Sequence, residues 1–396
     1  DLGNPLSVAS IAQVNKINDT LLIKFVKPRT IFNLIVENLF LVDMMSKFNK
    51  EENLTIEEKI TNKKEEDYLI GGIIKLLFEF NFKEEKENID KANIIYKNFK
   101  YFDLSFLNII ENIEDNSFVN LHNIPNIRLK YVKGISLNNI FNNIENYSIN
   151  YITKLFKLFI DMSTAWFIEG LFESRFFHAD LHPGNIIITD PRDETIKFTL
   201  IDFGNCDSMT DNEINVFLNV LKQHNKIINI LDYIEDKQRL MKSNWKYYYY
   251  VKEYLGYYFP YLLKNTTEYD IVNKYLVDII KIIQKLGFKL SGKKIEKLTD
   301  KILEFYKTSP NKKSFGAFWE RIIDSVDDLG NFGNSKIIVF VRGLVVLEKT
   351  SMFFKDHCDI NNKLSVVDII IENIYKKLNF INKIKIWYKL NQQKLD

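Results

Sequence analysis

The sequence predicts an α+β protein of two lobes, a small β-rich N-lobe that also carries long helices and a large, mostly helical C-lobe. Three observations predict it. Ile11–Ile17 and Thr20–Val26 have the composition of paired strands, with Asn18-Asp19 as their turn. His178–Asn185 forms an H-x-D-x-x-x-x-N loop, and Asp202-Phe203-Gly204 follows it one hairpin later. From Asp211 onward nearly every segment has the apolar spacing of a helix. The expected N-lobe covers residues 1–134 and the expected C-lobe residues 135–396.

A chain of 396 residues is long enough for a large core and two or three lobes. Its 46% hydrophobic and 14% aromatic content is that of a globular protein. A net charge of +2 argues against a nucleic-acid surface dominated by one sign, so no nucleic-acid partner is expected. Only seven of the 54 basic residues are Arg, and Lys and Asn crowd every segment alike, which reads as a coding bias. Cys206 and Cys358 make no disulfide framework. No uncharged apolar run reaches the roughly 18 residues of a spanning helix; the longest candidate, Ile337–Leu347, is broken by Arg342. The first residue is Asp1 rather than Met, so any targeting peptide is expected outside this sequence.

Taken in order, the second strand of the N-terminal hairpin reads Leu21-Leu22-Ile23-Lys24-Phe25-Val26. A lysine inside an apolar strand matches the V-A-I-K form in which a kinase lysine reaches the α- and β-phosphates. Ile31–Met45 has helical spacing, and the charged stretch at about 46–67 reads as a solvated insertion. Leu69–Phe99 reads as a long helical stretch. A kinase lysine needs a helix-borne carboxylate, and Glu79, Glu84, Glu85 and Glu87 all compete on spacing alone. Leu129–Gly134 reads as an extended connector between the lobes, Ser136–Asn150 as helix, and Tyr151–Leu171 as the helix leading into the 178–185 loop. The aromatic run Tyr247–Tyr250, with Tyr254, Tyr257 and Tyr258, reads as core. Ile370, Ile374, Leu378, Ile381, Ile384 and Tyr388 form one stripe at helical spacing, with Lys376, Lys377 and Lys383 off it.

The 178–204 stretch carries the chemistry. Ile186–Ile188 reads as a strand leaving the loop and Phe198–Ile201 as its return, with turn residues at Asp190–Asp193 between them. Such a hairpin brings Asn185 and Asp202 to the same end. Two oxygen ligands side by side, with Asp180 close in sequence, suit a Mg²⁺–ATP site of the protein-kinase type. A zinc site from His178, Asp180 and His182 competes with this, but no Cys pair at ligand spacing supports it. A serine-hydrolase reading fails because G-x-S-x-G is absent.

With Lys24 and these motifs, the run Pro5-Leu6-Ser7-Val8-Ala9-Ser10-Ile11-Ala12-Gln13-Val14 resembles the alanine-rich loop of the UbiB, or aarF-domain-containing (ADCK), family of atypical protein-kinase-like ATPases. No glycine lies between Asn4 and Val14, as that replacement for a glycine-rich loop requires. The resemblance covers Asp1 to at least Gly204 and reaches thinly to Arg342. It implies that Val8, Ala9, Ser10 and Lys24 contact nucleotide and that Glu85 pairs with Lys24. It also implies that Asp180 accepts or orients the nucleophile's proton, and that Asn185 and Asp202 are metal ligands. Glu79 would begin the family's E-x-D element.

Four departures accompany it: Asn81 replaces the second acid of that element, Leu181 replaces a common Pro, Lys130 stands at a usually acidic hinge position, and the family's K-x-G-Q extension is absent from this sequence. The resemblance further implies a link to isoprenoid-quinone or lipid metabolism, with a lipid or quinone precursor and a membrane surface as partners. The localisation it implies is mitochondrial or at another organelle membrane. Small-molecule kinases of the aminoglycoside or choline phosphotransferase type share the 178–204 strings but generally lack the alanine-rich loop and the Glu79–Asn88 pattern. A nucleotide-binding pseudokinase scaffold is the remaining alternative.

Overall fold

The computed structural model describes residues 5–8, 12–48, 70, 82–113, 126–189, 195–243, 268–284, 292–310, 312–327, 336–358 and 365–391. In chain order the strands and helices begin with β1 (Pro5–Val8), β2 (Ala12–Lys16), β3 (Leu21–Val26), α1 (Pro28–Phe48) and α2 (Phe82–Lys97). There follow β4 (Leu107–Ile109), β5 (Asn126–Lys130), β6 (Ile135–Ser136), α3 (Leu137–Asn142), α4 (Ile149–Phe172), β7 (Phe176–His178), β8 (Ile186–Ile188), β9 (Phe198–Leu200) and β10 (Cys206–Ser208). The remainder is helical: α5 (Asp211–Ser243), α6 (Glu268–Gln284), α7 (Gly292–Thr308), α8 (Phe315–Asp327), α9 (Lys336–His357), α10 (Val366–Lys377) and α11 (Phe380–Asn391). The fold is therefore α+β; among the described residues every strand lies before residue 209 and only helices follow it.

The chain forms two compact units, neither continuous in sequence. The first comprises Asp1–Phe99, Leu104–Asn142 and Pro183–Cys206, and the second Lys100–Asp103, Asn143–His182 and Asp207–Asp396. The first unit holds two four-stranded sheets, ordered β1-β2-β3-β5 and β4-β9-β8-β6. In the first sheet every pairing is antiparallel, and β3 is internal, with Lys24 opposite Val14 on one side and Ile127 on the other. Asn18 closes the β2–β3 turn by accepting the Thr20 amide on its Oδ1 at 2.8 Å. Leu129 and Lys130 are strand residues of β5 rather than a connector. Ile127 and Leu129 are buried between less buried Arg128 and Lys130, the alternation of a strand with one covered face. Gly134 is required by packing, because a Cβ there would lie 2.3 Å from the Ile188 carbonyl oxygen.

The second unit is built on α4, which is capped by Ser148 and buried along most of its length. Trp166 stacks on Phe340 of α9 at 4.6 Å and donates its indole N–H to the His178 oxygen at 2.9 Å. Phe177 meets the same Phe340 edge-on. Gly343 lets α9 pass Trp166 and Ala179, where a Cβ would meet them at 3.1 and 3.3 Å. The strand entering the 178–185 loop is thus held by aromatic packing from both helices. Further along, His224 is buried and shares a 2.7 Å hydrogen bond with Tyr306.

Several expectations lie outside the described residues: the body of the charged insertion beyond Phe48, Glu79 and Asn81, the Asp190–Asp193 turn, the tyrosines at 247–258, and Ala9 and Ser10. The single C-terminal stripe is resolved into two helices. Ile370, Ile374 and Leu378 are buried, Leu378 ends α10 in extended conformation, and Ile381 and Ile384 of α11 are exposed.

Candidate functional site

The core of the site lies within the first unit. Glu85 sits on α2, whose buried residues are Phe82, Glu85, Ile89, Ala92 and Tyr96. That 3-4-3-4 spacing is one helical face, so Glu85 takes a place in an otherwise apolar stripe. Glu84 and Glu87 are exposed. From β3, Lys24 reaches across so that its ammonium lies 2.9 and 3.0 Å from the two Glu85 oxygens. The same ammonium lies 2.7 Å from Oδ1 of Asp202 and 5.9 Å from the Phe82 ring centroid. A buried ion pair keeps its charges only when geometry is good and the remaining donors are used. Here one ammonium is shared by three carboxylate oxygens.

The two carboxylates differ in setting: the Glu85 side chain is 3% exposed and that of Asp202 is 48% exposed. Burial pulls the Lys24 ammonium down, but Glu85 and Asp202 outweigh it and hold its pKa above the ordinary lysine value. Burial pushes Glu85 up from the usual carboxylate range, the Lys24 charge opposes this, and Asp202 adds to it.

The β8–β9 hairpin sets Asn185 beside Asp202. Ile186 pairs with Leu200, and the Ile201 amide donates to the Asn185 carbonyl at 3.0 Å, so the two ligand candidates leave the hairpin at one end. Asp202 adopts φ 61°, the left-handed region that costs an ordinary L-residue and that Asp and Asn tolerate best. Asn88, one turn beyond Glu85 on α2, donates its Nδ2 hydrogen to the Phe203 carbonyl at 3.0 Å. Asn93 does the same to the Ile110 carbonyl at 3.1 Å, and Asn112 bonds back to the Lys86 carbonyl at 3.1 Å. Sequence reading missed these asparagines as structural staples. For Asn88 and Asn93 the local signal is their place flanking the buried stripe of α2; Asn112 lies outside that helix.

Asp180 belongs to the second unit. Its amide donates to Nδ1 of His178 at 3.1 Å, and His178 is buried. His178 therefore braces the loop through Nδ1, which takes that ring nitrogen away from metal binding. The nearest approach of His182 Nε2 to Asp180 is 3.7 Å. Among the described residues no group of three or more His, Cys, Asp or Glu side chains is placed to hold a metal ion.

Asn185 and Asp202 nevertheless present oxygen donors of the hard type that Mg²⁺ prefers, and two such donors leave positions for phosphate oxygens and water. The residues present fit that ion as a partner of bound phosphate rather than as a resident of a protein cage. Val8 lies in β1, whose register with β2 shifts between Pro5 and Ser7. Lys130, at the end of β5, pairs with Glu111 at 3.0 Å, and its amide is taken by the Glu111 carbonyl at 2.9 Å.

A family profile described as the ABC1 atypical kinase-like domain matches residues 3–229. That span includes Lys24, Glu85, Asp180, Asn185 and Asp202. No curated protein matches the chain.

Proposed function

Because the chain belongs to the ABC1 atypical kinase-like family, we propose that it binds Mg²⁺–ATP and passes the γ-phosphoryl group to water or to a small acceptor. The observation that carries this reading is the Lys24 ammonium shared between buried Glu85 and half-exposed Asp202. Catalysis of phosphoryl transfer is mostly positioning and charge neutralisation, and this cluster has the parts for both.

Glu85 is too buried to leave, so it keeps Lys24 charged and directed. Asp202 is the partner that can exchange: with a phosphate oxygen at Lys24, its carboxylate would be available to hold a cation. Asn185, fixed by the hairpin, supplies the second protein oxygen. Mg²⁺ held by Asn185 and Asp202 would supply neutralisation of the phosphate charge. Asp180 accepts or orients the proton of the attacking hydroxyl. By the family resemblance, Val8, Ala9 and Ser10 would contact the phosphates.

Family resemblance supports a place in isoprenoid-quinone or lipid metabolism at an organelle membrane, the mitochondrial one first. A lipid or quinone precursor would be the activating ligand or acceptor. Among the described residues no helix is long and apolar enough to cross a membrane. The test has two parts. Phosphate release from ATP by the purified chain, lost in Asp180→Asn, supports the chemistry. An unbiased lipid and metabolite profile after loss of the protein tests the pathway, and an unchanged quinone and lipid profile would overturn that part.

A further inference from the structure

We propose that α11 is a docking face for an anionic lipid bilayer. The helix is anchored on one side, where Ile386 is buried, as is Leu378 just before the helix. Its other side is uncovered: Phe380 is 76%, Ile381 64% and Ile384 48% exposed, and Tyr375 of α10 is 53% exposed beside them in sequence. At roughly 100° per residue, Phe380, Ile384 and Ile381 fall within one arc of about 100°, and Ile386 lies opposite. Lys385 flanks the arc on one edge and Lys383 on the other. An exposed phenylalanine with two isoleucines between lysines is the pattern of a helix that lies in a membrane interface.

Charge decides the occupant. From Asn373 to Asn391 the sequence holds five lysines, at 376, 377, 383, 385 and 389, and no Asp or Glu. Lys376 pairs with Glu372 and Lys377 with Asp161. Among the described residues no carboxylate pairs with Lys383 or Lys385. A second copy of the chain meeting this face on a two-fold axis would bring like charges together. An anionic lipid surface instead attracts each lysine while the arc enters the acyl boundary. This face does not depend on the nucleotide site, so failure of one reading leaves the other intact.

The test uses the whole chain and co-sedimentation with vesicles of phosphatidylcholine, alone or with about one third phosphatidylglycerol. The unaltered protein should bind the anionic vesicles, bind the neutral ones weakly, and release as salt is raised. Lys383→Ser/Lys385→Ser should weaken anionic binding by roughly tenfold or more. Phe380→Ser/Ile381→Ser/Ile384→Ser should abolish it, with an unchanged melting temperature showing that the fold is kept. Equal binding to both vesicle types, salt-insensitive binding, or full binding by both variants would each overturn the proposal. Variants that lose self-association while keeping vesicle binding would overturn it too, by assigning the face to a second copy.

Discussion

Asn88 Nδ2 donates to the main-chain oxygen of Phe203 at 3.0 Å, and this bond ties the helix of Glu85 to the Asp202-Phe203-Gly204 turn. The turn holds Asp202 at φ 61°, a backbone state that persists only when its surroundings fix it. Asn88→Ala should therefore cost about 1 kcal/mol of stability and also weaken nucleotide binding by roughly tenfold, about 1.4 kcal/mol. Asn93→Ala removes a comparable bond to Ile110, away from the turn, as the control. It should cost similar stability and leave nucleotide affinity nearly unchanged. Thermal melts and nucleotide titration of the two variants separate these effects, and equal losses of affinity would count against a role for Asn88 at the turn.

Asp180 and Asp202 should fail differently. Asp180→Asn should abolish phosphate release while nucleotide binding largely survives, because the proposed role of Asp180 is toward the nucleophile. Asp202→Asn removes a charge beside Lys24 and turns a carboxylate into a neutral carboxamide, and should weaken Mg²⁺–nucleotide binding itself. Equal loss of affinity in both would show the roles wrongly assigned.

Glu348, in the second unit, should make stability depend on pH. Glu348 on α9 is buried and accepts the Val366 amide at 2.9 Å, at the start of α10. Burial pushes its carboxyl up to about 7, partly opposed by that amide and by Lys355. A carboxyl raised on folding holds its proton better in the folded state. Its contribution is thus most favourable below the unfolded value and falls as pH rises through about 7. Glu348→Gln should flatten this decline, by up to about 3 kcal/mol between acid and mildly basic pH. Denaturant melts of both proteins across pH 5 to about 8.5 measure it; parallel curves would contradict the assignment.

Basal chemistry should be slow. Ser7-Val8-Ala9-Ser10 offers Cβ atoms where ordinary kinases use glycines to bring backbone close to phosphates, and Val8 is β-branched. ATP hydrolysis should be low alone and rise with vesicles or quinone-precursor mimics, with negligible labelling of generic peptides. Radiolabelled ATP with peptides, with and without vesicles, distinguishes this from strong, lipid-independent peptide labelling, which would contradict it.

The parts of the site that a sequence displays are those set by short stretches. Lys24 within an apolar strand, the 178–185 loop and the hairpin joining Asn185 to Asp202 are all local, and the hairpin register follows from its own strands. Spacing relative to Lys24 leaves its partner open among four glutamates, and the family resemblance picks Glu85. The stripe of Phe82, Ile89, Ala92 and Tyr96 singles out Glu85, because a charge at a core position needs a partner. β5 is also legible in part, as Ile127 and Leu129 alternate with Arg128 and Lys130, although its reading as a connector begins three residues too late. Asn88 was not legible, since its acceptor is a backbone oxygen 115 residues away. The C-terminal stripe misled because a constant apolar spacing runs through Leu378, where the helix breaks and the buried face becomes an exposed one.

The central claim is that Lys24, Glu85, Asn185 and Asp202 form a Mg²⁺–nucleotide site whose metal comes with its phosphate. Titration calorimetry of the whole chain with Mg²⁺ alone, ATP alone and Mg²⁺–ATP tests it most directly, repeated on Lys24→Met and Asp202→Asn. The account predicts no strong binding of Mg²⁺ alone, clear binding of Mg²⁺–ATP, and a loss of at least roughly tenfold in each variant, about 1.4 kcal/mol. Tight Mg²⁺ binding without nucleotide, or unchanged Mg²⁺–ATP affinity in both variants, would contradict it.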